Sequence, residues 1–156
     1  MEARIILSIN RGGSIESAQL IKNLAIQKSM EKDSLFVGVD FSGNPFVGSF
    51  HNFEQIFHEL KQRNIKTTIH LAEIQNMDDI ETIINFAPTR VSHGHFINSE
   101  QLAKLIEMSI AFEICPSSKL NTLKSSSFAE VLSIVTTLLQ KGNNFSICTD
   151  DTSKII

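Results

Sequence analysis

Lys66-Thr67-Thr68-Ile69-His70-Leu71-Ala72-Glu73 is the stretch on which the fold reading turns. Lys66–Leu71 reads as a short buried strand, and a histidine and a carboxylate three residues apart stand at its end. Side chains at that spacing, where a strand gives way to a loop, can reach one point in space. Metal-assisted hydrolysis uses such a pair, one group as ligand and the other as proton carrier. A lone His-x-x-Glu also fits an ordinary surface loop, so the weight falls on the residues at the ends of the other strands.

Outward from this stretch, strands and helices alternate. Ile5–Ile9 is a β-rich run ended by Asn10-Arg11-Gly12-Gly13, and Ser14 can cap a helix carrying Ala18, Ile21, Leu24 and Ala25 at helical spacing to about Lys28. Leu35–Phe41 is a second strand stopped by Ser42-Gly43-Asn44-Pro45. A helix starting at Asn52 or a neighbour places Phe53, Ile56, Phe57 and Leu60 on one face, and Met77–Phe86 is a short helix closed by Pro88. Arg90–Val91 opens a fourth strand, Asn98 or Ser99 caps a helix with Leu102, Leu105 and Ile106, and Ile110–Cys115 is a fifth strand cut by Pro116. Phe128–Gln140 is the most apolar helix (Val131, Leu132, Val135, Leu138, Leu139), with Gly142 as its stop. Phe145–Thr149 is the sixth strand.

Short apolar strands without strict polar alternation, each followed by a helix, are the pattern of a parallel sheet covered by helices. The fold class is α/β, in about six parallel βα units forming a single domain over 1–156. An α/β barrel and an open doubly wound sheet both fit. A net charge of −3 and the lack of a Lys/Arg cluster argue against nucleic acid as a partner. No apolar run approaches the roughly 20 residues of a membrane span. Cys115 and Cys148 lie in apolar segments and read as reduced core thiols of a cytoplasmic protein. Eleven Phe beside no Trp and no Tyr has no functional reading at this level.

In a parallel sheet every strand's C-terminal end lies on the side where α/β folds place their active sites. After the second strand come Asp40 and Gly43, after the third His70 and Glu73, and after the fourth His93, Gly94 and His95. Cys115-Pro116-Ser117-Ser118 comes after the fifth, and Asp150 and Asp151 after the sixth. His51 and His58 lie in or beside a helix and read as surface residues. Each site residue has a plainer role open to it. Asp150 and Asp151 could cap a helix, His93 could be a hydrogen-bonded loop histidine, Gly43 an ordinary turn residue. Asp40 could hold the Ser42–Asn44 turn through backbone N–H groups. Their recurrence on one face is what favours chemistry.

The order of Asp40-Phe41-Ser42-Gly43-Asn44-Pro45, His70-Leu71-Ala72-Glu73-Ile74, Ser92-His93-Gly94, Glu113-Ile114-Cys115-Pro116-Ser117-Ser118 and Cys148-Thr149-Asp150-Asp151 resembles the adenosine deaminase family of metal-dependent (β/α)8 (TIM) barrels. Ile6-Leu7-Ser8-Ile9-Asn10-Arg11 and the Ser42-Gly43 pair are similar to its adenosine deaminase-like branch, which removes methylamine from N6-methyl-AMP. The resemblance implies Zn²⁺ held by His70 and Asp150, with Glu73 as proton donor to purine N1 and His93 orienting the attacking water. It implies that the Gly43 N–H meets purine N3 and that Asp151 contacts N7. The partner would be a small-molecule purine nucleoside or nucleotide.

The chain also departs from that family. It has no histidine before His51, whereas the family draws two further zinc ligands from a His-x-His pair on its first strand. His70 and Asp150 alone fall short of the roughly three protein ligands of a catalytic zinc. Asn44, Ser92 and Lys119 replace an acid, a glycine and an asparagine. A full barrel needs about 250 residues. The expectation is therefore an incomplete barrel, a fragment or truncated form, inactive by itself. Apolar open edges at Ile5–Ile9 and Phe145–Cys148 would invite self-association. The alternatives are a non-catalytic form that pairs with a full-length barrel or binds purine without turnover, and another metal-dependent amidohydrolase.

Overall fold

The computed structural model describes residues 3–118 and 128–150. Among the described residues strands and helices alternate: β1 Ile5–Asn10, α1 Ile15–Ser29, β2 Phe36–Ser42, α2 Glu54–Gln62, β3 Thr67–Leu71, α3 Met77–Phe86, β4 Arg90–His93, α4 Ser99–Glu107, β5 Ala111–Ile114, α5 Phe128–Lys141 and β6 Phe145–Ile147. A 3-10 turn, Phe50–Phe53, precedes α2. The strands form one sheet in sequence order, and every pairing is parallel. Sequential order without a reversal is that of a barrel wall rather than a doubly wound sheet, which has a switch point. The α/β expectation of six parallel units forming part of a (β/α)8 barrel therefore holds.

The helix boundaries follow from local chemistry. Ser14 Oγ accepts the Ser17 N–H at the start of α1. Asn98 caps α4 in a reciprocal box with Gln101, in which each side chain accepts the other residue's backbone N–H. α3 runs over the expected Met77–Phe86 and ends at Ala87, whose left-handed backbone (φ 53) precedes Pro88. Gly142, with φ 66, lets the Gly142 and Asn143 N–H groups return to Leu139 and Leu138 after α5.

The sheet has two unlike faces. Ile9, Val39, Phe41, Ile69, Leu71, Val91, Phe112 and Ile114 point outward and are buried under the helices. The phenylalanine excess has its reason in this layer. Phe41, Phe50, Phe53, Phe57 and Phe86 form one cluster, with ring centroids 5.2–6.1 Å apart in edge-on and tilted pairs. The burial of some apolar positions departs from the periodicity reading. Leu24 is 38% exposed, Leu132 46% and Leu139 63%, because the apolar stripes of α1 and α5 are wider than the surface the sheet covers. Val131 has no described side chain.

One buried ion pair joins three segments on the sheet's C-terminal side. Arg11, just past β1, places Nη2 2.6 Å from Asp79 Oδ2 in the first turn of α3. Asp79 Oδ1 also accepts the Phe50 N–H at 2.7 Å and the Ser49 hydroxyl at 3.0 Å. Arg11 donates to the Val47 and Gly48 carbonyls and lies over the Phe41 ring. Gly48, with φ 68, is required there, since a Cβ would stand 2.0 Å from the Arg11 carbonyl oxygen.

Asp79→Ala is expected to lower unfolding free energy by about 3–5 kcal/mol, because it leaves the Arg11 charge buried and unpaired. The double variant Arg11→Met/Asp79→Leu should recover much of that loss. Urea unfolding followed by circular dichroism measures both, and an unchanged midpoint for Asp79→Ala would remove the ion pair from its proposed place in the fold.

Candidate active site

The inner face of the sheet is polar. Ser8 Oγ donates to Asp40 Oδ2 at 2.9 Å and lies 2.8 Å from Ser42 Oγ. Glu113 accepts from Ser92 at 2.5 Å and Thr68 at 3.2 Å, and its other oxygen meets Arg90 Nε at 3.1 Å. Polar groups at alternate positions of strands whose other face is apolar line a barrel interior.

Above this layer, at the ends of β3 and β4, lie His70, Glu73 and His93. His70 Nδ1 is 3.2 Å from Glu73 Oε1 and 3.1 Å from His93 Nε2, while His70 Nε2 is 3.8 Å from Asp40 Oδ1. The two rings meet edge-on with centroids 4.6 Å apart, and His95 packs against His93 at 5.2 Å. Local backbone shape makes the meeting possible. Strand alternation would send His93 to the face opposite Ser92, but its φ of 70 turns it back toward His70. Ala72 (φ 54) and Asp150 (φ 62) are likewise left-handed at the ends of β3 and β6. Such conformations are costly for non-glycine residues and cluster at functional sites.

The electrostatics separate the three groups. Burial lowers the His70 pKa, but the Glu73 hydrogen bond and the charges of Asp40, Glu73 and Asp150 outweigh it, and the net direction is up. For Glu73, burial pushes up, but the His70 hydrogen bond and the His93 and His70 charges win, so the carboxyl sits below its ordinary range. His93 is lowered by burial and then by His70, leaving a neutral imidazole at neutral pH.

Neutral imidazoles and carboxylates are what Zn²⁺ and similar cations take as ligands. One ligand atom from each of His70, Glu73 and His93 lies within 4.8 Å of the other two. Beside them, Asp40 Oδ1 and His93 Nδ1 are buried with no hydrogen-bond partner among the described residues. The donor set and the unpartnered Asp40 oxygen fit a divalent cation.

Of the residues singled out in the sequence, His70, Glu73 and His93 are brought into contact. Asp150 is near enough for its charge to bear on all three. Gly43, with φ 121, lies against Asn10, where a Cβ would come within 2.6 Å of Oδ1. Asp151 and Lys119 lie outside the described residues. His51 and His58 are exposed, as expected. Ser92, in place of glycine, ties β4 to Glu113. Asp40 is corrected: it does not hold the Ser42–Asn44 turn but bonds Ser8 and faces His70. The sequence assigns Glu113 no role, although Ser8, Asp40, Ser92 and Glu113 are each a polar residue within an apolar strand.

A model of the family described as Adenosine deaminase matches residues 1–155. The chain belongs to the adenosine deaminase family. It is 33% identical over 153 residues to the N6-mAMP deaminase of Arabidopsis thaliana and 30% identical over 148 residues to the adenosine deaminase-like protein of Drosophila melanogaster. Each match takes in 95% of this chain but only 40% and 43% of the relative. Among solved structures, Arabidopsis ADAL complexed with IMP superposes with a TM-score of 0.82 at 29% identity, covering 97% of this chain and 43% of that one. An Arabidopsis ADAL complexed with GMP superposes equally well, with the same coverage of this chain and 44% of that one. The chain thus spans about two-fifths of the length of these relatives, and the family match runs over residues 1–155.

Cys115 and Cys148 are both free, but only Cys115 is buried; Cys148 is half-buried rather than a core thiol. No helix among the described residues is long and apolar enough to cross a membrane. Burial first, then the charge of Asp150, pushes the Cys115 thiol up to about 12. At pH 8 iodoacetamide should therefore modify Cys148 in the folded protein and Cys115 only after unfolding in urea. The folded thiol keeps its proton above pH 9.0, where the unfolded one ionises, so its contribution to stability falls as pH rises from there toward 12. Peptide mass spectrometry reads the labelling, and equal labelling of the two cysteines before unfolding contradicts the assignment.

Proposed function

We propose that this chain carries the acid–base part of a zinc-dependent hydrolytic deaminase acting at purine C6, with N6-methyl-AMP as substrate and IMP and methylamine as products. The observation that carries this reading is the contact of His70, Glu73 and His93 at adjoining strand ends, in a chain of the adenosine deaminase family. Relatives named for N6-methyl-AMP and solved relatives holding IMP and GMP support the nucleotide.

His70 and Asp150 would hold Zn²⁺, with the remaining ligands coming from outside these 156 residues. Zinc, when bound, supplies a water acidified toward a pKa of about 7. The rest of the chemistry falls to the chain's own side chains. Glu73 is ionised at rest, so it starts as a proton acceptor and can protonate purine N1 only after taking the proton of the attacking water. His93, neutral and with Nδ1 unpartnered, orients that water as the hydroxyl group adds to C6. The C6–N bond then breaks as the new C6 hydroxyl gives up its proton to the departing nitrogen, so that the carbonyl of IMP forms and methylamine leaves. The Gly43 N–H would meet purine N3, and Asp151 N7, fixing which edge of the base enters.

The test is to read the coding sequence upstream of Met1. An in-frame His-x-His there, and methylamine release from N6-methyl-AMP by the extended chain, are the expected findings. Glu73→Gln in that chain should reduce kcat by about 10²- to 10⁴-fold. Undiminished turnover by Glu73→Gln would overturn its assignment as proton carrier.

A second reading is favoured by the sheet edges. Ile5 on β1 is 49% exposed and Ile147 on β6 60%, so the two terminal strands of the sheet present apolar edges. A non-catalytic form would pair through them with a longer barrel, and co-elution with such a barrel in size-exclusion chromatography, without turnover by this chain, is what that reading requires.

A further inference from the structure

We propose that Asp40 is a metal ligand alongside His70, with its Oδ1 and the His70 Nε2 addressing one cation. The proposal rests on the metal-dependent reading above and adds to it a residue assigned no part there.

His70 Nδ1 is taken up by its 3.2 Å contact with Glu73 Oε1. His93 Nε2 lies 3.1 Å from the same nitrogen. The other ring nitrogen, Nε2, faces Asp40 Oδ1 at 3.8 Å. That distance is too long for a hydrogen bond. It is close to the roughly 3.4 Å that separates two ligands of one tetrahedral zinc, given Zn–N and Zn–O bonds of about 2.0–2.2 Å.

The surroundings hold Asp40 in this attitude. Its Oδ2 takes the Ser8 hydroxyl at 2.9 Å, and Ser8 is itself 2.8 Å from Ser42. Its Oδ1 is buried and has no hydrogen-bond partner among the described residues. A buried carboxylate oxygen left without a donor is unfavourable. Here one oxygen is anchored and its twin is left aimed at an imidazole nitrogen, which is the arrangement of a ligand supported from behind.

The test uses the 156-residue chain, Zn²⁺ and Co²⁺, and competition with a chromophoric chelator. The wild type should bind either ion in a manner that His70→Ala removes. Asp40→Asn keeps the shape but loses the charge, and should weaken binding by about tenfold or more. Ser8→Ala leaves the charge but frees the carboxylate, and should weaken binding less. Circular dichroism of each variant reports whether it is folded. In the ¹⁵N spectrum of labelled histidine, zinc should shift His70 Nε2 and leave Nδ1 protonated. Binding by Asp40→Asn equal to wild type, a His70 that keeps its Nε2 proton with zinc present, or no His70-dependent binding by the wild type would each overturn the proposal. Turnover does not enter these readouts. Asp40-dependent metal binding with no methylamine release from the extended chain would sink the catalytic reading and leave this one standing, and deamination by that extended chain with Asp40 dispensable would do the reverse.

Discussion

The buried pair of Arg11 and Asp79 is the constraint on which the site's surroundings depend. The two residues are 68 positions apart, yet Nη2 and Oδ2 meet at 2.6 Å with both side chains almost wholly out of water. Stripping two charges of water is costly, and their mutual attraction compensates only when the other polar atoms are satisfied as well. That condition is met: Asp79 takes the Phe50 N–H and the Ser49 hydroxyl, and Arg11 gives to the Val47 and Gly48 carbonyls. The loop after β1, the loop after β2 and the start of α3 are therefore one unit. The same unit seats Phe50 on Phe41 and Phe57, so the aromatic layer under the sheet and the polar rim above it are set by a single contact.

The second constraint is the division of the sheet into an apolar outer face and a polar inner one. Helices satisfy the outer face. On the inner face Glu113 gathers Thr68, Arg90 and Ser92 from two neighbouring strands, and Asp40 gathers Ser8 from a third. A polar layer of this kind is stable only when nearly every atom is matched. The mismatches that do occur, at Asp40 Oδ1 and His93 Nδ1, stand beside His70 and nowhere else among the buried described side chains. Unsatisfied polarity is concentrated where a cation or substrate would relieve it.

Much of this was legible in the chain. Caps at Ser14 and Asn98, the helix Met77–Phe86 and the alternation of strands and helices are local signals, and local chemistry decided them. What was not legible depends on distant partners. Asp40 looked like a turn residue because nothing near it in sequence shows that Ser8, 32 positions earlier, would take one oxygen and leave the other to His70. Glu113 stands in the motif Glu113–Ser118 without a role, because its partners Thr68, Arg90 and Ser92 come from β3 and β4. Leu24 and Leu139 sit at good helical spacing but outside the covered stripe, since periodicity fixes a face and not how much of it a neighbour conceals. The His70–Glu73 pair could be read from spacing alone, and His93 could be placed on the same side of the sheet, but its contact with the His70 ring could not be read.

That arrival depends on backbone rather than on side-chain preference. A left-handed residue at the end of a strand costs roughly 1–3 kcal/mol, and both Ala72 and His93 adopt one. Two backbone hydrogen bonds hold the loops they begin against each other: Gly94 N–H to the Leu71 carbonyl at 2.9 Å and Phe96 N–H to the Ala72 carbonyl at 3.1 Å. Gly94 is itself left-handed (φ 71), so the turn continues through a residue that bears this conformation without strain. The loops after β3 and β4 are thereby stitched together below the side chains that meet above them. A site assembled this way is arranged before any ligand arrives, which is the condition under which fixed dipoles and charges stabilise a reaction most effectively. It also explains why the strain sits at these positions: with an ordinary extended backbone His93 would turn to the outer, apolar face, and His70 would lose its ring neighbour.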